Sequence, residues 1–170
     1  NVSDTGAREA TYRNVHEAIA SELKVMGVDA KPFRTLGTGA VTRMSCDSSG
    51  ASSVGKRDEP FLCFQRRTDE DLIVSGYKVL GSAQRRTKGA LLQHGSLLWS
   101  VSPHADVLPG IQQLAGRRLE MDQLIRGLQQ RLQAMFEIDW QLGALESEEI
   151  EAAKQIVTQR YGNSDWTSKR

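Results

Sequence analysis

An α+β fold, a mixed or antiparallel sheet with packing helices, is what the sequence predicts, and three observations predict it. Apolar residues recur at helical spacing over residues 7–26. Short β-rich segments crowd residues 71–101 and carry a tight-turn pair, Ser75-Gly76. Helical spacing then returns over residues 119–136. Helices and strands in separate stretches of chain suit a sheet with helices packed on it rather than a regular βαβ alternation.

Along residues 7–26, AREATYRNVHEAIASELKVM, the positions Ala10, Val15, Ala18, Ile19, Leu23 and Met26 step by three and four, and charges take the opposite side. Asp4 or Thr5 can cap the start and Gly27 can end the helix. His16, with no second ligand or base near it in sequence, reads as a surface or boundary histidine. VDAKPFR, residues 28–34, alternates enough for a short strand, and Pro32 suits it to a sheet edge. Residues 35–58 are dominated by glycine, serine and threonine and read as a mobile loop, with a short ordered piece over residues 40–44 and an exposed thiol at Cys46. Its GTGAV lacks the lysine of a phosphate-binding loop.

FLCF, residues 61–64, is a candidate strand. DLIVSGYKVLGSAQ follows as two strands around Ser75-Gly76, where Gly76 supplies the positive φ of a two-residue hairpin. ALLQHGSLLWSV is the next strand, and Gly95 inside it marks a close backbone approach. Residues 104–114 suggest a short broken helix. Over residues 119–136, Leu119, Leu124, Ile125, Leu128, Leu132, Met135 and Phe136 share one side of a longer helix. IDWQLGAL, residues 138–145, resembles a strand; Ser147 caps a helix to about Tyr161; residues 163–170 form a polar tail.

The chain has 170 residues, enough for one domain with one core. A net charge of +1 argues against a nucleic-acid coat, and no apolar run approaches the roughly 20 residues of a membrane span. NVSDTGAREA has neither part of a secretory leader, so reduced thiols in the cytoplasm are the expectation. Two cysteines and three histidines make no metal-ligand spacing.

Cys63 is the one strong nucleophile candidate. A free thiol has a pKa near ~8.5, so a neighbouring cation is needed to favour the thiolate. The hairpin can fold Lys78 back toward it. On residue type alone, a cysteine flanked by Phe61, Leu62 and Phe64 reads as a buried structural residue, a lone strand lysine as part of a solvated face, and His94 as a core or rim histidine. Arg85, Arg86 and Lys88 suit either a solvated turn or a grip on an acidic partner.

Taken together, Cys63-Phe64, Asp71-Leu72-Ile73-Val74, the run from Gly76 to Arg86 that contains Lys78 and Gly81-Ser82-Ala83-Gln84, and the run from Gly89 to Leu97 that contains Gln93-His94-Gly95-Ser96 resemble the lipoate/biotin protein ligase superfamily. Within it they resemble the cysteine-dependent octanoyltransferase branch, and Tyr161, Asp165-Trp166 and Lys169-Arg170 resemble the family's C-terminal end. The resemblance implies one biotin/lipoate protein ligase-type catalytic domain over residues 1–170, ending in a mostly helical part from residue 104.

It further implies that Cys63 carries the acyl thioester and that Lys78 stabilises the thiolate and contacts the acyl carbonyl. Gly81, Ser82, Ala83 and Gln84 fall on one strand of the acyl pocket, and His94, Gly95 and Ser96 on its neighbour. Gly76 and Gly89 are substrate-binding positions of the same motif. Burying an octanoyl tail yields on the order of 5 kcal/mol at ~0.8 kcal/mol per methylene, which suits an apolar pocket. The implied donor is octanoyl-acyl carrier protein. The acceptor is a lysine of a lipoyl-domain protein, such as glycine cleavage H protein or a dehydrogenase E2 subunit. No metal, no cofactor, no nucleic acid and no membrane is implied.

Arg67-Thr68 stand where the family has Pro-Ser, and Arg66 and Arg67 bear on how an acidic carrier protein docks. Nothing in residues 1–34 matches the family's Arg-Arg…Thr-Gly-Gly-Gly element, so the chain is expected to be the C-terminal portion of such an enzyme and inactive without the rest. Three other readings share these residues: an ATP-dependent lipoate–protein ligase, an octanoyl amidotransferase between lipoyl-domain proteins, and a non-catalytic binding module.

Overall fold

A computed structural model of the chain describes residues 4–36, 63–87 and 90–168. The expected loop at 35–58, Cys46, Phe61-Leu62 and Gly89 therefore lie largely or wholly outside the described residues. The chain divides into two compact units, residues 1–138 and 139–170.

In the first unit, helix α1 (Asp4–Val25) realises the first amphipathic segment, and Gly27 ends it with φ +76°. The sheet is antiparallel and four-stranded in the order β1 (Lys31–Pro32), β2 (Leu72–Val74), β3 (Tyr77–Thr87) and β4 (Ala90–Leu97). The hairpin falls where the sequence places it: Ser75 and Gly76 take φ +50° and +87°, and Val74 pairs with Tyr77. Two successive positive φ values give the turn the twist of its flanking strands. A bulge between Leu72 and Ile73 shifts the register, so Leu72 faces Leu80 while Ile73 faces Lys78.

Several elements differ from expectation. The 28–34 strand shrinks to Lys31–Pro32, at the sheet edge as Pro32 suggests. Beyond it the amides of Phe33 and Arg34 donate to the carbonyls of Asp71 and Asp69, and Phe33–Thr35 close into a 3-10 turn. A short β2 offers no longer ladder to pair with. Cys63–Gln65 is also a 3-10 turn rather than a strand. Of residues 104–114 only the end is helical, in α2 (Ile111–Ala115).

Helix α3 (Met121–Phe136) packs on α1. The core joins Leu23 of α1, Met26 and Val28 just after it, Leu72 and Val74 of β2, Val79 and Leu80 of β3, Ile111 of α2, Leu119 of the segment before α3 and Leu124 of α3. Gly127 lets the helices close: a Cβ there would lie within 2.6 Å of every carboxylate atom of Glu22. That carboxylate, nearly buried, receives Arg131 Nε at 2.8 Å.

In the second unit, residues 139–146 form neither strand nor helix, and Leu142 and Leu145 are exposed; among the described residues no strand runs beside the expected 138–145 strand. Helix α4 (Ser147–Ile156) follows, with Glu146 rather than Ser147 at the cap, where the Glu149 carboxylate accepts the Glu146 amide at 2.8 Å. The helix runs into a π turn at Val157–Tyr161. The tail contains a further short helix, α5 (Ser164–Thr167), whose Asn163 cap accepts the Asp165 amide at 2.8 Å. Tyr161 meets Trp166 edge-on at 4.9 Å, and the Arg160 guanidinium lies over both rings.

Candidate functional site

The bulged hairpin creates the site. Asp71 stands just before β2 and is buried; Lys78 sits one pair beyond the turn on β3. Lys78 Nζ lies 2.8 Å from Asp71 Oδ2, with the two side chains only 10% and 2% exposed. The same carboxylate oxygen accepts the Thr68 amide at 2.7 Å. Lys78 Nζ also donates to the Arg66 carbonyl at 3.0 Å and stands 5.6 Å from the centre of the Phe64 ring. The lysine is therefore not on a solvated strand face. An anion, a carbonyl and an aromatic face hold its ammonium, as an ion withdrawn from water requires.

Glycines make the room. A Cβ on Gly81 would come to 2.6 Å from Lys78 Cε and 2.9 Å from Nζ, so the lysine lies back across β3 only because residue 81 has no side chain. Gly95, the register partner of Ser82, is tighter still: a Cβ there would lie 2.6 Å from both the Gly81 carbonyl and Ser82 Cβ. The close approach that Gly95 marks is made by the neighbouring strand's own backbone.

A cavity of about 330 Å³ opens over this region, lined by Phe64, Lys78, Gly81, Ser82, Ala83, His94, Gly95 and Ser96. All but Phe64, which the motif holds only as the neighbour of Cys63, are residues to which the resemblance gives a catalytic or substrate-binding place, and β3 and β4 bring them together. The others are placed apart. Gly76 is a turn residue whose carbonyl accepts Arg67 Nη2 at 2.6 Å. Gln84 lies further along β3 and donates to Gln93 Oε1 at 2.8 Å. Gly89 is outside the described residues. The backbone of Cys63 opens the Cys63–Gln65 turn, which packs against β3; its side chain is outside what is described.

A second, apolar cavity of about 310 Å³ lies between α1, α3 and the sheet. Ile19, Leu80, Leu97, Leu124 and Leu128 line it, and Ser82, His94 and Gly95 border both spaces.

Two residues of this region escape the sequence reading. Asp71 is visible only as the acid before an apolar strand. His16 is not the boundary residue expected but fully buried. Its ring Nδ1 is 2.5 Å from the Glu70 carbonyl and Nε2 2.5 Å from Ser82 Oγ, and Tyr12 on the same helix donates to the Ser82 carbonyl at 2.7 Å. The helix wheel holds the missing clue, because His16 precedes Ala20 and Leu23 by one and two turns on the buried stripe. A carbonyl accepts only, so Nδ1 carries the ring proton and Nε2 accepts from Ser82.

Burial pushes the His16 pKa below its ordinary value, against the raising effect of the Glu70 carbonyl and the Asp71 and Glu70 charges. The unfolded chain thus takes up a proton at higher pH than the folded one. Stability from this group is complete above about pH 6.5 and declines as pH falls toward the folded value. Urea unfolding from pH 7.5 to 5 is expected to show that decline in the wild type and a flatter profile in His16→Asn.

Among the described residues no group of three or more His, Cys, Asp or Glu is placed to hold a metal ion, and no helix is long and apolar enough to cross a membrane.

The profile of the lipoyl protein ligase A/B catalytic domain matches residues 3–112. Octanoyltransferase LipM of Bacillus subtilis is 26% identical over 180 residues, covering 94% of this chain and 61% of the relative. Octanoyltransferase LipM of Clostridioides difficile is 25% identical over 181 residues, with 94% and 61% covered. The chain thus spans about three fifths of the length of the curated relatives it matches. Among solved structures, protein Ta0514 of T. acidophilum, a putative lipoate protein ligase, superimposes with a TM-score of 0.62 at 17% identity, over 98% of this chain and 59% of that one. Lipoate-protein ligase A bound with ATP gives 0.59 at 17% identity, over 93% and 58%. The sheet-and-helix fold is that of these ligases, and with the profile covering most of its length this chain belongs to the lipoyl protein ligase A/B catalytic domain family.

Proposed function

We propose that the protein carrying this chain transfers an octanoyl group from acyl carrier protein to a lysine of a lipoyl-domain protein, through a thioester on Cys63. One observation carries the reading. The Lys78 ammonium is held over Phe64, the residue after Cys63, at the head of a cavity walled by Gly81, Ala83, His94 and Ser96. The similarity to octanoyltransferases in sequence supports the same chemistry.

In this mechanism the Cys63 thiolate attacks the donor thioester, and the carrier's thiol leaves. Lys78 stabilises the thiolate and donates to the oxyanion of the tetrahedral intermediate, and Asp71 keeps that ammonium aimed. The acceptor lysine then attacks the octanoyl-cysteine, an amide forms and the Cys63 thiol is regenerated. The cavity's glycine and alanine floor leaves width for an extended alkyl chain. The setting is a soluble one, the cytoplasm.

Incubation with octanoyl-acyl carrier protein, without ATP, is expected to give an octanoyl-enzyme visible by intact mass and labile to hydroxylamine, and Cys63→Ser is expected to give none. An absolute need for ATP would instead favour a lipoate ligase, a reading that the ATP-bound structural neighbour keeps in view. A donor preference for octanoylated lipoyl-domain protein would favour an amidotransferase.

A further inference from the structure

The two faces of the β3–β4 ribbon are unlike, because side chains alternate across a strand. On one face Leu80, Ser82, Gln93 and Leu97 look toward α1 and α3, where Ser82 meets His16. On the other, the register sets three pairs in a row: Gly81 with Ser96, Ala83 with His94, and Arg85 with Leu92. Burial follows the same alternation: positions 82, 84, 91 and 93 are half-buried, and positions 83, 85, 92 and 94 are exposed. The Lys78 ammonium is on this second face, where a Cβ on Gly81 would meet it. The cavity beside it takes in the first two pairs and stops short of the third.

We propose that the Arg85/Leu92 pair sets the length of acyl chain this enzyme accepts, with an eight-carbon tail ending against Leu92. The inference rests on the octanoyl-transfer reading. Lys78 Nζ lies 2.9 Å from the place of a Gly81 Cβ, so a carbonyl held by that ammonium sits over the Gly81/Ser96 pair. Toward the turn, Phe64, Lys78 and Asp71 fill the space, and the tail runs the other way, over Ala83. Successive pairs on one face stand about 6.7 Å apart, which puts Arg85/Leu92 about 13 Å along the strands from the carbonyl's pair. An extended octanoyl chain has seven carbon–carbon bonds of about 1.5 Å and spans about 9 Å in zigzag. Its methyl stops about 4 Å short of the pair, which is contact distance. Two further methylenes add about 2.5 Å and use up that gap.

The pair suits an end wall. Gly81 and Ala83 rise little above the sheet, whereas Arg85 and Leu92 are long side chains. Leu92 is 58% exposed and offers apolar contact to a terminal methyl. A longer tail presses methylenes against the Arg85 guanidinium and strips its water without returning a hydrogen bond. The ladder between β3 and β4 is unbroken from the Leu80/Leu97 pair to the Thr87/Ala90 pair, so the tail has no way through to the apolar cavity on the helix side.

Acylation of the full-length protein by hexanoyl-, octanoyl- and decanoyl-acyl carrier protein, followed by intact mass, tests this. Wild type is expected to take octanoyl at least about tenfold faster than decanoyl. Leu92→Ala and Arg85→Met are each expected to raise the decanoyl-to-octanoyl rate ratio about tenfold, and Leu92→Trp to lower the octanoyl-to-hexanoyl ratio about as much. Leu91→Ala, one residue away on the helix face, is expected to leave both ratios within about twofold of wild type. Each ratio is read within one protein, so a loss of folded material lowers both rates alike and leaves the ratio intact. A wild type that takes decanoyl as fast as octanoyl, unchanged ratios in both Leu92 variants, or an equal shift in Leu91→Ala would overturn the inference alone. A wild type that forms no acyl-enzyme with any of the three donors would overturn the transfer reading and this inference with it.

Discussion

Asp71→Ala is expected to cost about 3–5 kcal/mol of stability, the range for removing one partner of a buried ion pair. The reason is geometric. Among the described residues Lys78 Nζ has Asp71 Oδ2 at 2.8 Å and otherwise a carbonyl and a ring face, so the substitution strands an ammonium that is only 10% exposed. It also takes the acceptor from the Thr68 amide, adding an orphaned donor. The measurement is urea unfolding at pH 7, with the change expected in the midpoint at an unchanged m value. The double variant Asp71→Asn with Lys78→Met is expected to recover most of the loss, because Asn keeps an acceptor for Thr68 and no charge remains buried. A loss below about 1 kcal/mol in the single variant would mean that Lys78 swings out to solvent and that the pair does not fix it.

The same pair shows what was legible in the chain and what was not. The turn at Ser75-Gly76 was readable because positive φ is a local demand met by residue type, and α1 and α3 because a 3.6-residue period needs no partner to be seen. The cavity floor was readable through the joint pattern around Lys78, and β3 and β4 place Gly81, Ser82, Ala83, His94, Gly95 and Ser96 about one space. Lys78 itself was ambiguous: nothing local distinguishes a solvated strand lysine from one folded over Gly81 onto Asp71. That outcome depends on the bulge at Leu72-Ile73, a tertiary event without a sequence marker. His16 was misplaced for a related reason. Its partners lie 54 and 66 positions away, and nothing near it along the chain points to them. The strand expected at 138–145, and the described end of the one expected at 61–64, are not strands because an apolar run states that a segment wants burial, not what it will pair with.

The largest expected effect on activity belongs to Lys78. Lys78→Met is expected to slow formation of the octanoyl-enzyme by about 10²–10³, the range for losing one preorganised donor to a developing oxyanion, equivalent to about 2.7–4 kcal/mol of barrier. Taken alone that result is ambiguous, since the substitution also leaves Asp71 buried without its cation. The Asp71→Asn/Lys78→Met protein removes the ambiguity, being expected to unfold near the wild-type urea midpoint and yet to acylate as slowly as the single variant. Lys78→Arg sharpens the point. It keeps the charge, but the pocket beside Gly81 is shaped to a slender amine, with only 2.6 Å between Lys78 Cε and a Cβ placed at residue 81. A guanidinium is planar and broader, so this variant is expected to lose most of the rate while keeping a buried pair with Asp71. Were the double variant to acylate at the wild-type rate, Lys78 would be a structural counter-ion of Asp71 and no more, and the oxyanion would need another donor. His94, which borders the same cavity, would be the next to test.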